Sequence, residues 1–306
     1  MDFLKKMAEL GITQGVPTDV EFYSTGIQEL DYLINAKGGG IPKGRITEIF
    51  GEYSSGKSAL AYSIIGAAQK EGKKCLFANV EGTLDFNFAT KLFGVQAEKT
   101  MVMTCDMAED YLVGIEKVIE GRAVDIIVVD SIEALVPKAE TEADYKDALM
   151  GVRAKLLNRF CRRSVPLLRD SEIALVVLNQ SRIDFMSGFE TTPGGKALKF
   201  YSSLRLHLQK ASKIKQGEEI KGTQTRIKVE KNKVGQPFGT LLIDFLWEKG
   251  FDATADWVGL ALGAGKVERK GNTYFYKNEK IGVGLSGVRA FLQTKPELME
   301  AIKAEL

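Results

Sequence analysis

Ile46-Thr47-Glu48-Ile49-Phe50-Gly51-Glu52-Tyr53-Ser54-Ser55-Gly56-Lys57-Ser58 runs from an apolar, β-rich segment through the pattern G-x-x-x-x-G-K-[ST] into the helix-like stretch 59–68. A strand before this pattern and a helix after it give the context in which such a loop cradles phosphates, so a chance glycine-rich turn is set aside. Backbone amides around Gly51, Glu52, Tyr53, Ser54, Ser55 and Gly56 curl about phosphate oxygens at a helix N-terminus. Lys57 reaches the β/γ-phosphates, and the Ser58 hydroxyl ligates Mg²⁺. The cofactors expected are therefore ATP and Mg²⁺.

Outward from this loop, apolar runs at 46–50, 75–80, 126–129 and 173–178 alternate with helix-length segments at 58–71, 86–93, 107–121 and 149–168. That rhythm predicts an α/β core, a mostly parallel sheet flanked by helices. Runs at 204–208, 225–230 and 240–246 follow without long helices between them, so the sheet is expected to finish in antiparallel strands. Ile126-Ile127-Val128-Val129-Asp130 has the Walker-B form, an apolar strand ending in a carboxylate that orients a water on the magnesium. The run 75–80 delivers Glu81 to the same carboxyl edge, where it is the candidate for polarising an attacking water.

The expected division is a helix and linker over 1–23 for oligomerisation, an ATPase core over 24–252 and a small α+β domain over 253–306. In the last, a helix over 253–262, a strand pair around 273–281 and a final helix over 296–305 are expected. Phe3, Leu4, Met7 and Leu10 share one face of a helix too short to persist alone, and its partner is either its own core or a neighbouring subunit.

Forty-two basic against 40 acidic residues leave a net charge of +2, so any nucleic-acid binding must come from local patches. Cys75, Cys105 and Cys161 form no C-x-x-C pair, which argues against a zinc ribbon or a disulfide framework and fits a reducing cytoplasm. No apolar run approaches the roughly 18 residues needed to cross a bilayer, so no membrane partner is expected. His207, the single histidine, alternates with leucines in Leu204-Arg205-Leu206-His207-Leu208 and reads as the solvent side of a half-buried strand. Histidine triads and histidine-rich metal sites are thereby excluded.

Several further segments resemble the bacterial RecA family: Val129-Asp130-Ser131, Pro137-Lys138-Ala139-Glu140, Met150-Gly151, Asn179-Gln180, Gly194-Gly195-Lys196-Ala197-Leu198-Lys199-Phe200-Tyr201 and Lys231-Asn232-Lys233. The likeness runs from about Ser24 to the end and includes Tyr276-Lys277-Asn278-Glu279-Lys280-Ile281-Gly282. A shorter second loop and an abbreviated N-terminal helix fit a phage-encoded or otherwise compact member. The resemblance implies an ATP-dependent recombinase that polymerises on single-stranded DNA, pairs it with homologous duplex and exchanges strands. Single-strand-binding and mediator proteins would be its further partners.

By the same resemblance Glu81 is the hydrolytic base and Gln180 senses the γ-phosphate and relays it to the following loop. Asp85 and Phe88 contact adenine, Phe88 standing where the family's tyrosine is usual. Lys231 and Lys233 reach a neighbour's γ-phosphate in trans, although by themselves they read as a solvated basic strand. Two loops, 141–150 and 181–195, hold the single strand, through Met150 in the first and Arg182, Phe185, Phe189, Gly194 and Gly195 in the second. Aromatic rings in a flexible loop suit base stacking, or else fold back onto the core. Lys155 and Arg162, on the helix between the loops, fall where the family contacts DNA phosphates; a solvated helix face is their ordinary alternative. The competing functions are another ATPase of this fold, such as a ring helicase or repair accessory protein, and an ATP-gated DNA-binding filament without strand exchange.

Overall fold

The computed structural model describes residues 19–144, 151–183 and 190–306. The expected helix over 2–10 and the positions Met150, Phe185 and Phe189 lie outside the described residues.

A short β1 (Phe22–Tyr23), α1 (Gln28–Ile34) and β2 (Ile41–Pro42) lead into the core. There β3 (Ile46–Gly51), α2 (Lys57–Lys70), β4 (Cys75–Asn79), α3 (Phe86–Phe93), β5 (Thr100–Met103), α4 (Ala108–Glu120) and β6 (Ile126–Asp130) alternate. Short α5 (Lys138–Glu142), long α6 (Val152–Ser171) and β7 (Ala174–Gln180) come next. A hairpin stem, β8 (Arg182–Ile183) with β9 (Glu190–Thr191), and α7 (Ala197–Tyr201) precede the last strands, β10 (Leu204–Gln216), β11 (Glu219–Asn232), β12 (Thr240–Leu246) and β13 (Gly250–Phe251).

One nine-stranded sheet results, in the order β13-β12-β11-β10-β3-β7-β6-β4-β5. Strands β5, β4, β6, β7, β3 and β10 are mutually parallel, and β11 to β13 are antiparallel, as the sequence rhythm predicts. Because side chains alternate along a strand, Ile126 and Val128 enter one core layer with Leu60, Ile64 and Phe77, while Ile127 and Val129 enter the other with Ile115, Leu157 and Phe160. Each fully buried aliphatic residue of these layers contributes about 1.5–3 kcal/mol.

The edge strand β5 was not foreseen. Thr100-Met101-Val102-Met103 pairs with β4 yet leaves Met101 and Val102 exposed, so it lacks the buried apolar signature of its neighbours. In the last segment α8 (Ala253–Gly263), β14 (Val267–Lys270), β15 (Thr273–Tyr276), β16 (Glu279–Val283), α9 (Gly284–Thr294) and α10 (Pro296–Ala304) enclose a third core around Val258, Tyr274, Tyr276, Ile281, Val288 and Ile302. Three strands thus replace the expected pair, and α9 is an additional helix, its start hidden by the glycines of Val283-Gly284-Leu285-Ser286-Gly287.

The C-terminal unit meets the core through an acidic seam. Asp256 of α8 accepts hydrogen bonds from the backbone N–H groups of Gln28 and Glu29 at 2.8 and 2.7 Å, capping α1, which lacks a side-chain cap of its own. Burial, then the Asp256 carboxylate, push Glu29 up to about 7. Burial pushes Asp256 up to about 6 against the two backbone donors.

Since both pKa values exceed the ordinary carboxylate value, the folded chain holds extra protons between about pH 4 and 7, and stability falls as pH rises through that window. Glu29→Gln is therefore expected to raise the melting temperature at pH 8 by about 2 °C, with the gain vanishing near pH 4. Thermal melts at the two pH values check this, and an equal difference at both would count against the seam.

Candidate nucleotide and DNA site

Four parallel strands deliver the site to one sheet edge. In register, Gly51 at the end of β3 lies beside Gln180 at the end of β7 and beside Leu208 of β10. Asn79, ending β4, lies beside Asp130, ending β6, and the backbone N–H groups of Val80 and Glu81 donate to the Asp130 carbonyl at 2.9 and 3.0 Å. Residues from four separate stretches thus converge without any of them leaving the sheet frame.

The loop between Gly51 and Ser58 has the form that its sequence requires. A Cβ on Gly51 would lie 2.0 Å from the Leu208 carbonyl oxygen, so no side chain fits there. Gly56 caps α2 at φ 96°, a left-handed conformation that glycine adopts without strain. Glu52, Tyr53 and Ser54 are exposed, whereas Ser55 is buried and its Oγ finds no hydrogen-bond partner among the described residues. Lys57 folds back on the loop and donates to the carbonyls of Gly51 and Glu52 at 3.1 and 2.8 Å. Burial holds its ammonium below the usual lysine value, against the pull of Asp130, Glu81 and Glu133.

Two carboxylates, Asp130 at the end of β6 and Glu81 just after the adjacent β4, each accept from a serine. Ser58 Oγ donates to Asp130 Oδ2 at 2.9 Å, and Ser131 Oγ donates to Glu81 Oε1 at 2.5 Å. Asp130 is buried, and burial followed by the Glu81 charge pushes it up to about 6. Glu81 itself is exposed. Concentrated negative charge, hard oxygen donors, a cation and a helix N-terminus together suit a phosphate chain carrying a hard divalent cation. Sequence reading placed all of these but assigned no role to Ser131, which fixes the rotamer of Glu81.

Asp85 caps α3 by accepting from the Phe88 N–H at 3.0 Å, and the half-buried Phe88 ring packs against Tyr62, Phe93 and Phe245. Lys155 and Arg162 are exposed on α6. Lys231 donates to the carbonyls of Lys199 and Phe200 at 2.7 and 3.1 Å, so it ties down the last turn of α7 and is no merely solvated strand residue. Its pKa is lowered by burial and by the neighbouring Lys233 and Arg205 charges.

The second loop is pinned at its stem to the nucleotide site. Ser181 N–H donates to the Gly51 carbonyl at 3.1 Å, and Arg182 forms an ion pair with Glu133, three residues beyond Asp130. Asn179 Nδ2 donates to the Pro193 carbonyl at 3.3 Å and to Glu48 Oε1 at 2.9 Å. Glu48 also accepts from Arg205 Nε at 2.5 Å, a buried pair in mid-sheet. Gly194 and Gly195, both at positive φ, hand the chain on to α7.

His207 is the clear correction to the sequence reading: it is 8% exposed, not solvent-facing. Alternation with leucines correctly marks a two-sided strand, but the side read as solvent is covered by the hairpin stem, with Glu190 against the ring. The signal that could have shown a covered face is Glu48, an acid inside an apolar strand, which needs a buried cation nearby.

A family model of the RecA N-terminal domain matches residues 4–252, and one of the RecA C-terminal domain matches residues 255–306. Protein RecA of Bdellovibrio bacteriovorus is 38% identical over 300 residues, covering 97% of this chain and 79% of the relative. Protein RecA of Legionella pneumophila strain Corby is 39% identical over 298 residues, 95% of this chain and 85% of the relative. For Protein RecA of Citrifermentans bemidjiense the values are 39% over 300 residues, 97% and 88%. With both domain types matched in order and a P-loop, Walker-B strand and loop stem joined at one edge, this chain belongs to the RecA family, as a DNA-dependent ATPase and recombinase.

Proposed function

We propose that the chain hydrolyses ATP with Mg²⁺ at the edge formed by Gly51, Asn79, Asp130 and Gln180, and that hydrolysis is completed by a second copy in a filament on single-stranded DNA. The observation that carries this reading is the pair of contacts Ser58–Asp130 and Ser131–Glu81 at the mouth of the P-loop. The division into an oligomerisation segment over 1–23, a core over 24–252 and a small domain over 253–306 is part of the same proposal.

ATP supplies the phosphoryl bond that is broken, and Mg²⁺ neutralises charge on its phosphates. Lys57 would leave its two carbonyl partners for the β/γ-phosphates, while Ser58 and Asp130 would hold the cation. Glu81, oriented by Ser131, takes the proton of the attacking water. Gln180 follows the γ-phosphate, and Ser181 transmits its position to the loop stem through the Gly51 carbonyl. Asp85 and Phe88 flank the base. Met150, Lys155, Arg162, Arg182, Phe185, Phe189, Gly194 and Gly195 form the DNA surface, with Arg182 exchanging Glu133 for a phosphate.

Strand register supports the trans role of the lysines. Lys231 lies level with Arg205 and hence with Glu48, and Lys233 donates its N–H to Ser203, whose own N–H bonds Ile46 at the start of β3. At about 3.3 Å per residue they stand roughly 10 and 16 Å back from Gly51 along the strands, toward the opposite edge. Phosphates held by the P-loop of a neighbouring copy are the partners this reading assigns to them. Homologous duplex DNA, single-strand-binding proteins and mediators are the further partners of this reading, and the cytoplasm is its compartment; among the described residues no helix is long and apolar enough to cross a membrane.

Lys57→Ala is expected to abolish ATP-dependent tight DNA binding, and unchanged nucleotide affinity by calorimetry would count against the site. Glu81→Gln keeps shape but loses the base, so hydrolysis should fall by about 10²–10⁴-fold while nucleotide and DNA binding persist. Filaments of this variant should outlast the wild type on ATP in electron micrographs; equally fast turnover and disassembly would remove Glu81 from the role.

The double variant Lys231→Ala, Lys233→Ala should bind nucleotide as a monomer yet lose DNA-stimulated hydrolysis. Mixed with Lys57→Ala protein on DNA, it should regain part of the activity, because some interfaces then pair an intact P-loop with intact lysines. Co-assembly with no recovery at any ratio would refute action in trans.

A further inference from the structure

The imidazole of His207 lies flat on the Phe50 ring, with centroids 4.6 Å apart and 7° between the planes. Its Nε2 is 3.0 Å from Glu190 Oε1. A carboxylate only accepts, so Nε2 carries the proton, whether the ring is neutral or an imidazolium. Both neighbours belong to working parts of the molecule. Phe50 immediately precedes the first P-loop glycine, and Glu190 opens β9, the returning strand of the second loop's stem.

The surrounding groups fix this pair in place. Arg205, two residues earlier on the same face of β10, sets its guanidinium 4.3 Å from the Phe50 centroid while bonded to Glu48. His207 is in register with Phe50 on one side and Lys228 on the other. In the stem Arg182 pairs with Thr191 and Ile183 with Glu190, so the His207 contact lies at the end of the stem farther from β7. The outgoing strand is held by Arg182 to Glu133, behind Asp130, and the returning strand by Glu190 to β10. The stem is therefore clamped on both sides of the nucleotide edge.

We propose that His207 is a positioning residue for the DNA-stimulated reaction: by holding Glu190 while stacked on Phe50, it keeps the returning strand of the second loop in fixed relation to the P-loop. Loop and nucleotide site then move as one unit, and DNA bound to the loop acts on the site without the loop first having to be ordered. The inference rests on reading 181–195 as a DNA loop.

A purely structural histidine would lower stability and leave the DNA response alone, which gives the test. His207→Phe retains the stack and removes the donor. In titrations of ATP hydrolysis with single-stranded DNA, it should raise the DNA concentration for half-maximal stimulation about tenfold. Nucleotide affinity without DNA and the melting temperature should stay close to wild type. Glu190→Leu, on a partly exposed loop position that does not burden the core, should give the same shift by itself. The double variant should be no worse than either single one, because both remove one contact.

His207→Gln, which restores a donor, should recover part of the response. A DNA midpoint within about twofold of wild type for both single variants, or additive effects in the double, overturns the proposal. Wild-type protein whose hydrolysis ignores DNA would overturn the loop reading as well, whereas stimulated wild type with unshifted variants overturns this inference alone.

Discussion

Strand β3 lies between β7 and β10, and its last residue, Gly51, is in register with Gln180 on one side and Leu208 on the other. Almost everything else at the site follows from that alignment. Because the strands are parallel, their carboxyl ends emerge together, so the P-loop, Gln180 and the start of the second loop share one edge. A slip of one residue would turn every β3 side chain to the opposite face. Ile46 and Ile49 would then leave the two separate core layers that they fill. The hydrophobic pattern that stabilises the sheet is thus the same constraint that aligns the chemistry.

Within the sheet the polar exceptions are the links between strands. Glu48 joins Asn179 of β7 to Arg205 of β10, and Asn179 continues to Pro193 in the second loop. Removing one partner from such a buried pair typically costs about 3–5 kcal/mol, since the other charge remains without compensation. Glu48 therefore ties β3 to both neighbouring strands. One backbone hydrogen bond, Ser181 to Gly51, joins the start of the second loop to the P-loop.

The parts legible in the sequence are those encoded by local pattern. The P-loop, the Asp130 strand, Glu81 and the parallel-to-antiparallel order of the sheet each show in a run of a few residues. What escaped depends on tertiary cover. Strand β5 is too exposed to announce itself, α9 begins among glycines, and the His207 face is closed by a segment more than fifteen residues earlier in the chain. Ser131 and Glu133 follow the Walker-B strand and look like ordinary turn residues until the fold brings Glu81 and Arg182 to them. The register of Lys231 and Lys233 with Glu48 and Ile46 is invisible in local pattern, because it runs across two strand pairings.

The central claim is that nucleotide turnover at this edge is coupled to DNA so as to exchange strands. A reaction between circular single-stranded DNA and homologous linear duplex, followed on gels with ATP and magnesium, tests it most directly. ATP-dependent joint molecules that resolve into nicked circles and displaced linear strands are the expected result. DNA-stimulated hydrolysis and DNA binding without joint molecules would contradict the account and leave an ATPase that clamps DNA without recombining it.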